Sequence, residues 1–479
     1  MRSTFFGFEA ARKALMAQQR SLDVTSHNIA NANTEGYSRQ RAELTTTTPY
    51  TIPGMKGQVG TGVEVSTVNR IREEFADFQF RSENQALGKW ETYSQALERV
   101  EGIFAEPTSS GLKKAIGEFF NAWQELSKDG GNETVRALVR QRGIAMTDMF
   151  HHLNYQLEET RLDLNEGIEL AVKDINGIAD QIASLNGQIY NSELTGYTAN
   201  DLRDRRDLLV DKLSSLVNVR VQDDSGQYSV LVGGTRLVSH TSVVHMEAVP
   251  MTTGDDAGMF ELQWENNGTP VQITSGQLSG YLQVRNDIRE KYMDELDNLA
   301  VKMVDEINAK HQGGWAYAPS NPADPSSALI WQPGEAFFDP TKKTAKGIEV
   351  SSLILNETIG LKYIAAASGP TPVQGDGSNA LALAQLRNTR PSGGDTYEHM
   401  YESMLGTLGV QAQYAERLTD NQTFLTEQLQ NRRNSVSGVS LDEEMTNMIK
   451  FQHAYNAAAR VTTVMDEVLD TLINRLGAR

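Results

Sequence analysis

The chain has 479 residues, a formal net charge of −18 and no cysteine. The negative charge argues against nucleic acid or an anionic membrane as a partner, because no strong basic patch offsets it. The absence of cysteine excludes disulfides, thiolate metal sites and cysteine nucleophiles. We expect roughly two to four domains at this length, and a hydrophobic content of 39% is sufficient for their cores.

The sequence predicts neither a membrane span nor a secretory signal. No apolar run approaches the roughly 18 residues that a membrane-spanning helix needs. Near the start of the chain, Glu9, Arg12 and Lys13 interrupt any apolar core of a signal peptide. We therefore expect a soluble protein that, if it is secreted, leaves the cell without a cleaved signal peptide.

Apolar residues recur every seven positions near both ends of the chain, as in helices that pair in a coiled coil. The N-terminal series is Phe8, Leu15, Leu22 and Ile29. The C-terminal series is Leu441, Met448, Tyr455, Thr462, Leu469 and Leu476, accompanied four residues on by Met445, Gln452, Ala459, Asp466 and Ile473. The second row is diluted with polar residues, so we expect each helix to be weakly stable alone. An ordinary terminal hairpin that closes one domain explains the same periodicity.

The two ends also carry opposite charge. Residues 1–41 contain six basic and three acidic residues, whereas residues 441–476 contain three basic and six acidic residues. Exposed ion pairs contribute at most about 1 kcal/mol each. We expect this complementarity to guide the register of the two helices more than it stabilises them.

The interior of the chain is predicted to be mostly helical, with one β region near its middle. A Thr- and Gly-rich stretch over 43–67 favours a hairpin or long loop, and the turn Asp223-Asp-Ser-Gly226 between alternating residues favours a β-hairpin. Further strands are predicted at 260–264 and 271–273. Helices are predicted over about 75–105, 111–128, 133–195 with Asn132 as its cap, 199–217, 280–310 and 395–433.

The predicted fold is mainly α with an inserted small β module, in which the terminal helices pair as a coiled coil and long antiparallel helices form the body. Because both halves of the chain contribute to the body, the domains are discontinuous and nested. The predicted divisions are a terminal coiled-coil domain of 1–40 and 440–479, a helical body of 41–218, 277–312 and 378–439, an inserted β domain of 219–276, and an irregular Pro/Gly-rich segment of 313–377 packed on the body.

A hinge is predicted between the body and the C-terminal helix. Ser437 and Gly438 interrupt the helical pattern, and Ser440 with Glu443 three residues later has the spacing of a capping box that starts a new helix. The acidic residues Asp442 and Glu444 favour the positive end of that helix.

Motifs at both ends resemble those of bacterial flagellar axial proteins. The run His27-Asn-Ile-Ala-Asn-Ala-Asn-Thr-Glu-Gly-Tyr-Ser-Arg-Gln40 looks like their N-terminal signature, and its Gly-Tyr-Ser-Arg-Gln ending is similar to the form in the hook-associated protein 1, or hook–filament junction, family. The C-terminal run Ser437-Gly-Val-Ser-Leu-Asp-Glu-Glu-Met445 also resembles that family. The sequence departs from many relatives after Gly313, where they carry a larger β domain.

The resemblance implies a structural subunit that joins the hook to the filament and is not an enzyme. Its terminal helices would pair on assembly, so that copies form a tubular ring. The predicted assembly-interface residues are Phe8, Leu15, Leu22, Asn28, Ile29, Asn31, Asn33, Leu441, Met445, Met448, Tyr455, Leu469, Ile473 and Leu476. The implied partners are further copies, the flagellar hook protein, the next hook-associated protein on the filament side, and an export chaperone at the C-terminal helix. The implied location is the extracellular flagellum, reached by type III export, and no cofactor or metal is implied. The alternatives are another axial subunit of the hook or filament, or surface adhesion through the β module.

The asparagines Asn28, Asn31 and Asn33 allow two interpretations. They are typical of residues that end a helix before Gly36. Alternatively, Asn28 and Asn31 lie one helical turn apart and could bond to adjacent subunits, since an amide both donates and accepts.

Other polar patterns are interpreted as structural. Ser110 with Lys113 has the spacing of some acyl enzymes but marks a helix start, and His151 beside His152 forms a poor metal site because adjacent helical residues diverge. Asp201, Asp204 and Asp207 alternate with Arg203, Arg205 and Arg206, and we predict that they form a solvated, self-neutralising face.

Overall fold

The computed structural model describes most of the chain. The described residues are 6–51, 58–104, 111–194, 196–224, 226–254, 256–371, 373, 375–390 and 394–471. The predicted interface residues Ile473 and Leu476 lie outside them. Within these residues no helix is long and apolar enough to cross a membrane.

Long helices dominate the structure, as the periodicity predicts. The α-helices of the described residues are α1 (Phe6–Ala30), α2 (Glu74–Phe104), α3 (Leu112–Leu126), α4 (Glu133–Glu193), α5 (Asn200–Leu216), α6 (Gln277–Asp287), α7 (Asp294–Gln312), α8 (Ser352–Leu355), α9 (Ser378–Gln385), α10 (Tyr397–Ser437) and α11 (Leu441–Asp470). A π-helical turn, Ile288–Met293, joins α6 to α7, and two 3-10 turns cover Gly360–Tyr363 and Leu386–Asn388.

The strands form small antiparallel sheets. They are β1 (Gln40–Thr46), β2 (Tyr50–Thr51), β3 (Gln58–Val59), β4 (Val63–Arg70), β5 (Val219–Asp224), β6 (Gln227–Val232), β7 (Thr235–Ser239), β8 (Ser242–Val243), β9 (Met246–Pro250), β10 (Phe260–Trp264), β11 (Trp315–Pro319) and β12 (Leu329–Pro333). The sheets pair β1 with β4, β2 with β3, β5-β6-β7-β8 in order, β9 with β10, and β11 with β12.

The predicted turn between β5 and β6 is confirmed. Asp224 pairs with Gln227 at the end of the ladder, and the Gly226 amide donates to Asp223 Oδ1 at 3.1 Å. Gly226 has a φ of 88°, in the left-handed region that glycine adopts without strain. The mainly helical fold with a small β module is therefore the observed architecture.

Helix α4 runs through both apolar cores. Asn132 caps it, as predicted, by accepting hydrogen bonds from the amides of Thr134 and Val135. The first core gathers α2, α3, the first part of α4, α7 and α10 around buried aromatic residues such as Trp123 and Phe337. The second core gathers the later part of α4, α5 and the strands β5 to β10.

Three asparagines on α4 hold the β module. Asn176 donates to the Met246 carbonyl at 2.8 Å and accepts from the Met246 amide at 3.0 Å. Asn165 accepts a hydrogen bond from the Phe260 amide. Asn186 donates to the carbonyls of Tyr228 and His240. Since these residues recur about every three helical turns, one face of α4 satisfies the backbone groups of the strands that lie against it.

The segment 313–377 differs from the prediction of an irregular chain. It contains the hairpin β11–β12, in which Ala318 pairs with Ile330 and Trp315 pairs with Pro333. The two strands of this hairpin are short, and each ends in a proline, Pro319 or Pro333. The prolines favoured the prediction of an irregular segment. Proline is tolerated there because strand ends need not donate to the ladder.

Candidate hinge between the body and the terminal helices

The first helix ends at the asparagine motif. Asn31 donates through its side chain to the His27 carbonyl at 3.0 Å, and its backbone amide bonds to the same oxygen at 3.1 Å. Gly36 follows with a φ of 77°. The helix-ending interpretation therefore describes Asn31, because its side chain adds a second hydrogen bond to a carbonyl in the last turn of α1, just before a glycine in the left-handed region.

Asn28 has a different role, because its amide is bonded entirely within the chain. It is 1% exposed. Its Nδ2 donates to the Gln40 carbonyl at 2.8 Å and to Glu444 Oε2 at 3.0 Å, while its Oδ1 accepts from the Tyr37 hydroxyl at 2.8 Å and the Gln40 amide at 2.9 Å. These four bonds use both donors and both acceptor positions. The hydrogen-bonding positions of the Asn28 amide are therefore filled within the chain, and bonding of Asn28 to an adjacent subunit stays a prediction.

Glu444 is the buried counterpart of Asn28 on α11. Its side chain is 3% exposed, and Oε1 accepts a hydrogen bond from Arg39 Nε at 2.7 Å. Burial alone lowers the pKa of Arg39, but its hydrogen bonds to Glu443 and Glu444 outweigh this effect and raise the pKa above its usual value. A carboxylate this buried is stable only when it is paired and hydrogen-bonded. We call Asn28, Tyr37, Arg39, Gln40 and Glu444 the hinge cluster.

The predicted capping box is formed only in part. Ser440 accepts from the Glu443 amide at 3.5 Å and caps α11, as predicted. The Glu443 carboxylate, however, pairs with Arg39 at 2.7 Å instead of reaching back to Ser440. The Arg39 amide also donates to the Ser437 carbonyl at 2.8 Å. Arg39 therefore connects the end of α10 with the first turn of α11.

A second group of charges, here called the arginine–aspartate network, joins α2, β4, α5 and α10. Arg433 pairs with Asp77 at 2.9 Å and with Asp211 at 2.6 Å. Arg70 pairs with Asp204 and Asp207 at 2.7 and 2.8 Å. The remaining members, all pairing with these aspartates, are Arg72 and Arg81.

This network overturns the predicted solvated face at the start of α5. Asp204 and Asp207 are buried beneath Arg70 of β4 and Arg81 of α2, and Arg206 is buried against the Tyr228 ring. Asp201 and Arg205 are exposed, as predicted. Burial raises the pKa of Asp204, and the same effect at Asp207 is outweighed by Arg72, Arg70 and Arg81, which lower its pKa to about 2. Local sequence cannot reveal counterions that arrive from elements more than a hundred residues away.

The network and the hinge cluster are connected. The Ser38 amide donates to Asp204 at 3.0 Å, and Gln40 donates through its side chain to Asp201 at 2.7 Å. His27 Nε2 lies 3.3 Å from the same Asp201 oxygen. The segment between α1 and β1 is thus held to α5, and through Arg39 to α10 and α11.

The terminal helices α1 and α11 pack antiparallel along each other. Gly7 lies against Met465 near one end, where an added Cβ would be 2.7 Å from the Met465 Cε, and Asn28 bonds to Glu444 near the other. The half-buried members of the predicted series include Phe8, Leu15, Leu22, Ile29, Met448, Tyr455 and Leu469.

The second row of the C-terminal series lies three residues on, not four. Glu444 and Met465 contact α1, and Phe451 and Ala458 at the same spacing are half-buried. In the predicted row Met445, Gln452 and Asp466 are exposed and Ala459 is half-buried. In a heptad repeat, a second apolar row can follow the first by three or by four residues, and both spacings place the two rows on neighbouring faces of the helix. The spacing alone therefore did not show which row faces α1. Leu441 and Asn33 are exposed as well.

The outer surface of the pair carries large apolar side chains. Those that are exposed are Met16 on α1 and Leu441, Met445, Ile449, Val461, Val464 and Val468 on α11. On α11 these side chains fall into two groups at helical spacing, Leu441, Met445 and Ile449 in its first half and Val461, Val464 and Val468 in its second. We call these seven residues, Met16 included, the outer row; together they are more than the scattered apolar residues of an ordinary surface.

Comparisons with known proteins agree with the motifs at both ends. The family model for the flagellar hook-associated protein FlgK helical domain matches residues 97–323. Models for flagella basal body rod protein and for the flagellar basal body rod FlgEFG protein C-terminal match 8–37 and 430–476. Flagellar hook-associated protein 1 of Bacillus subtilis is 34% identical over 100% of this chain and 99% of its own length. The chain belongs to the flagellar hook-associated protein 1 family.

More distant members of the family agree. Flagellar hook-associated protein 1 of Salmonella typhimurium is 27% identical over 97% of this chain and 98% of its own length. The solved structure of the flagellar hook junction protein FlgK from Burkholderia pseudomallei aligns with a TM-score of 0.61 at 17% identity, covering 75% of this chain and all of that one. At that identity the structural likeness supports the fold alone.

Family membership identifies a structural component of the flagellum and not an enzyme. Among the described residues, no group of three or more His, Asp or Glu is placed to hold a metal ion. The hinge residues Tyr37, Arg39, Gln40 and Glu444 all lie inside the motifs that carry the resemblance. The sequence predicts roles for the asparagines and, at the start of the C-terminal helix, for Glu444, but none for Tyr37, Arg39 and Gln40.

Proposed function

We propose that this structural subunit of the hook–filament junction polymerises through its α1–α11 pair, with the hinge cluster fixing the direction in which the body leaves that pair. Copies would form a tubular ring with the hook protein on one side and the next hook-associated protein on the other. The observation that carries the proposal is the exposed apolar row on the outer surface of the terminal pair, which ends in Leu441 and Val468.

The apolar row supports assembly through energetics. Full burial of a large aliphatic side chain contributes about 1.5–3 kcal/mol, and because these side chains are about half exposed, each has about half of that left to contribute. Seven such side chains on one helix pair would supply much of the free energy that orders the pair when copies associate. The predicted interface residues Leu441 and Met445 belong to this outer row, whereas Leu15, Leu22 and Met448 hold the pair together from within.

The hinge supports transmission of force. Buried pairs tie Arg39 to α11 and Arg433 to the body. A joint built from buried, hydrogen-bonded charges has few alternative geometries of similar energy, since separating any pair leaves a charge desolvated. Such a joint allows the terminal lattice to continue the hook while the body presents a different surface to the filament.

Export would occur through the flagellar type III route, to an extracellular position on the flagellum. A chain without cysteine needs no oxidative folding outside the cell. Before export, the exposed apolar residues of α11, including Ile449 and Val464, would be the surface that a chaperone covers.

The proposal is tested by deleting the gene in the source bacterium. We expect hooks without filaments by electron microscopy and flagellin shed into the medium. Loss of the hook itself would instead assign the chain to an earlier axial position. Normal filaments with reduced adhesion would move the function to the β module of β5–β10.

A further inference from the structure

A cavity of about 510 Å³ lies on the body, where the start of α4 meets the hairpin β11–β12 and the 3-10 turn Gly360–Tyr363. Its walls include Arg136, Tyr317, Trp331, Lys362 and Asp376. None of these residues belongs to the hinge cluster, the arginine–aspartate network or the terminal pair. The family assignment gives the cavity no role.

Arg136 is a buried cation in the wall of this cavity. The residue is 8% exposed. Its guanidinium donates to the carbonyls of Gly130, Leu361 and Ile364 at 2.8, 2.9 and 2.8 Å, and no carboxylate among the described residues lies within ion-pair distance of it. Burial lowers the pKa of Arg136 to about 10, although Glu133 and Asp129 oppose that effect. Buried cations are normally neutralised by an anion.

The opposite wall is aromatic. Tyr317 and Trp331 are direct partners in the β11–β12 ladder, and their ring centroids lie 5.1 Å apart with 43° between the ring planes. Tyr317 is exposed and Trp331 is half-buried. Two adjacent aromatic rings at the mouth of a polar cavity offer a flat apolar surface, which suits the C–H face of a ring-shaped ligand.

The remaining wall is fixed and polar. The Gly130 amide donates to the Gly375 carbonyl at 2.9 Å, and a Cβ on Gly130 would lie 2.1 Å from the Asp376 carbonyl oxygen. The Tyr363 hydroxyl anchors the hairpin by donating to the Pro319 carbonyl at 2.7 Å. Asp376 and Glu133 also line the cavity. The Asp376 carboxylate accepts from the Ser378 amide at 2.9 Å and the Ser368 amide at 3.4 Å, and its remaining lone pairs and those of Glu133 could accept from ligand hydroxyl groups.

We propose that this cavity binds a carboxylated saccharide. Its carboxylate would lie between Arg136 and Lys362, the face of its ring against Trp331 and Tyr317, and its hydroxyl groups toward Asp376. Three separate features thus select for charge, ring shape and hydroxyl groups. The proposal does not depend on the role of the terminal helices.

The test uses the full chain and isothermal titration calorimetry with N-acetylneuraminic acid and glucuronic acid as probes. The neutral sugars N-acetylglucosamine and glucose are the matched controls for charge. We expect a dissociation constant of about 1 mM for an acidic sugar and binding at least about tenfold weaker for its neutral counterpart.

Two variants locate the site. Lys362→Gln and Tyr317→Ala should each weaken binding of the acidic sugar by about tenfold while leaving the circular dichroism spectrum unchanged. Lys346→Gln, an exposed lysine outside the cavity, should bind as the parent does. Absence of binding by both acidic sugars, binding that both cavity variants retain, or tighter binding of a tri-glutamate peptide than of either sugar would overturn the proposal.

Discussion

Asn28, near the end of the first helix, donates a hydrogen bond of 3.0 Å to the carboxylate of Glu444, 416 residues further along the chain. Both side chains are almost fully buried. This bond joins the two ends of the chain at the point where they meet the body. The bond therefore couples the pairing of α1 with α11 to the attachment of both helices to the body.

Replacing Asn28 with alanine should loosen this joint. The change removes four hydrogen bonds and leaves Glu444, Tyr37 and the Gln40 backbone without these partners, at a cost of about 2 kcal/mol or more. We expect faster amide hydrogen exchange in residues 31–40 and 438–448, with the body cores unchanged. Assembly of the Asn28→Ala, Asn31→Ala double variant should also be impaired.

Asn33→Ala is the matched control, because Asn33 is exposed in the same motif. The rate of amide hydrogen exchange in residues 31–40 and 438–448 of this variant should match that of the parent. Unchanged protection of both segments in Asn28→Ala would show that the buried amide does not hold the joint.

Alanine substitutions of the neighbouring residues Arg433 and Arg432 should lower the free energy of unfolding by very different amounts. Arg433 lies largely buried between Asp77 and Asp211. Arg433→Ala leaves these carboxylates with only Arg72 and Arg81 as partners, and it should cost about 2 kcal/mol of unfolding free energy. Arg432 forms an exposed pair with Glu73, so Arg432→Ala should cost less than about 1 kcal/mol. Urea denaturation followed by circular dichroism measures both values. Equal losses would contradict the assignment of Arg433 to a buried network.

Much of the helical fold was predictable, because burial of one helical face imposes a repeat that the sequence carries. The predicted helix 133–195 and the observed Glu133–Glu193 agree for this reason, as does the hairpin at Asp223 to Gly226. The π-helical turn Ile288–Met293 was missed because it leaves the apolar repeat nearly continuous.

Prediction of the hinge was less complete for a different physical reason. Asn28 and Gln40 are in one motif and Glu444 is in another, and nothing in either motif specifies that they meet. In the sequence, the acidic residues near Asp204 are balanced by basic residues beside them. In the structure, however, the ion-pair partners of Asp204 are Arg70 and Arg72. Tertiary pairing of polar residues leaves no periodic pattern in the sequence, unlike apolar burial.

Two glycines of α2 should respond in opposite directions to alanine. A Cβ on Gly88 would lie 2.1 Å from the Ser215 carbonyl oxygen, so Gly88→Ala should force α2 away from α5 and destabilise the protein by about 2 kcal/mol. Nothing lies within 4 Å of a Cβ on Gly102, where alanine should stabilise the helix by about 0.5–1 kcal/mol. Thermal unfolding of both variants tests the close approach. A Gly88→Ala variant as stable as Gly102→Ala would contradict it.

His311 should make stability depend on pH between about 4 and 6.5. Burial lowers its pKa to about 4, since the neutral ring accepts from the Ala365 amide at 2.9 Å while its other nitrogen lies 2.5 Å from the Glu335 carbonyl. Its folded pKa lies below the unfolded value. The neutral ring therefore stabilises the protein fully above pH 6.5, and about 3 kcal/mol is lost as the pH falls to 4.

The His311→Gln variant tests this dependence. It should be less stable than the parent at pH 7 and should lose less stability between pH 6.5 and pH 4. His245 acts in the opposite sense, because Asp180 raises its pKa, but it is exposed and its contribution is small. If the parent and His311→Gln had the same pH slope in urea denaturation, His311 would not be the titrating group.

The most direct test of the account is to restore the deletion strain with a Met445→Asp, Val464→Asp variant. Both side chains are exposed in the folded chain, so the monomer should fold, while charges on the outer row should block packing between copies. Because these residues also lie on the surface proposed for the chaperone, export of the variant is checked by detecting it in the medium. Tyr155→Asp, at an exposed tyrosine of α4, is the control and should restore filaments. We predict hooks without filaments and flagellin in the medium for the double variant. Filaments of normal number and length would contradict assembly through the terminal pair.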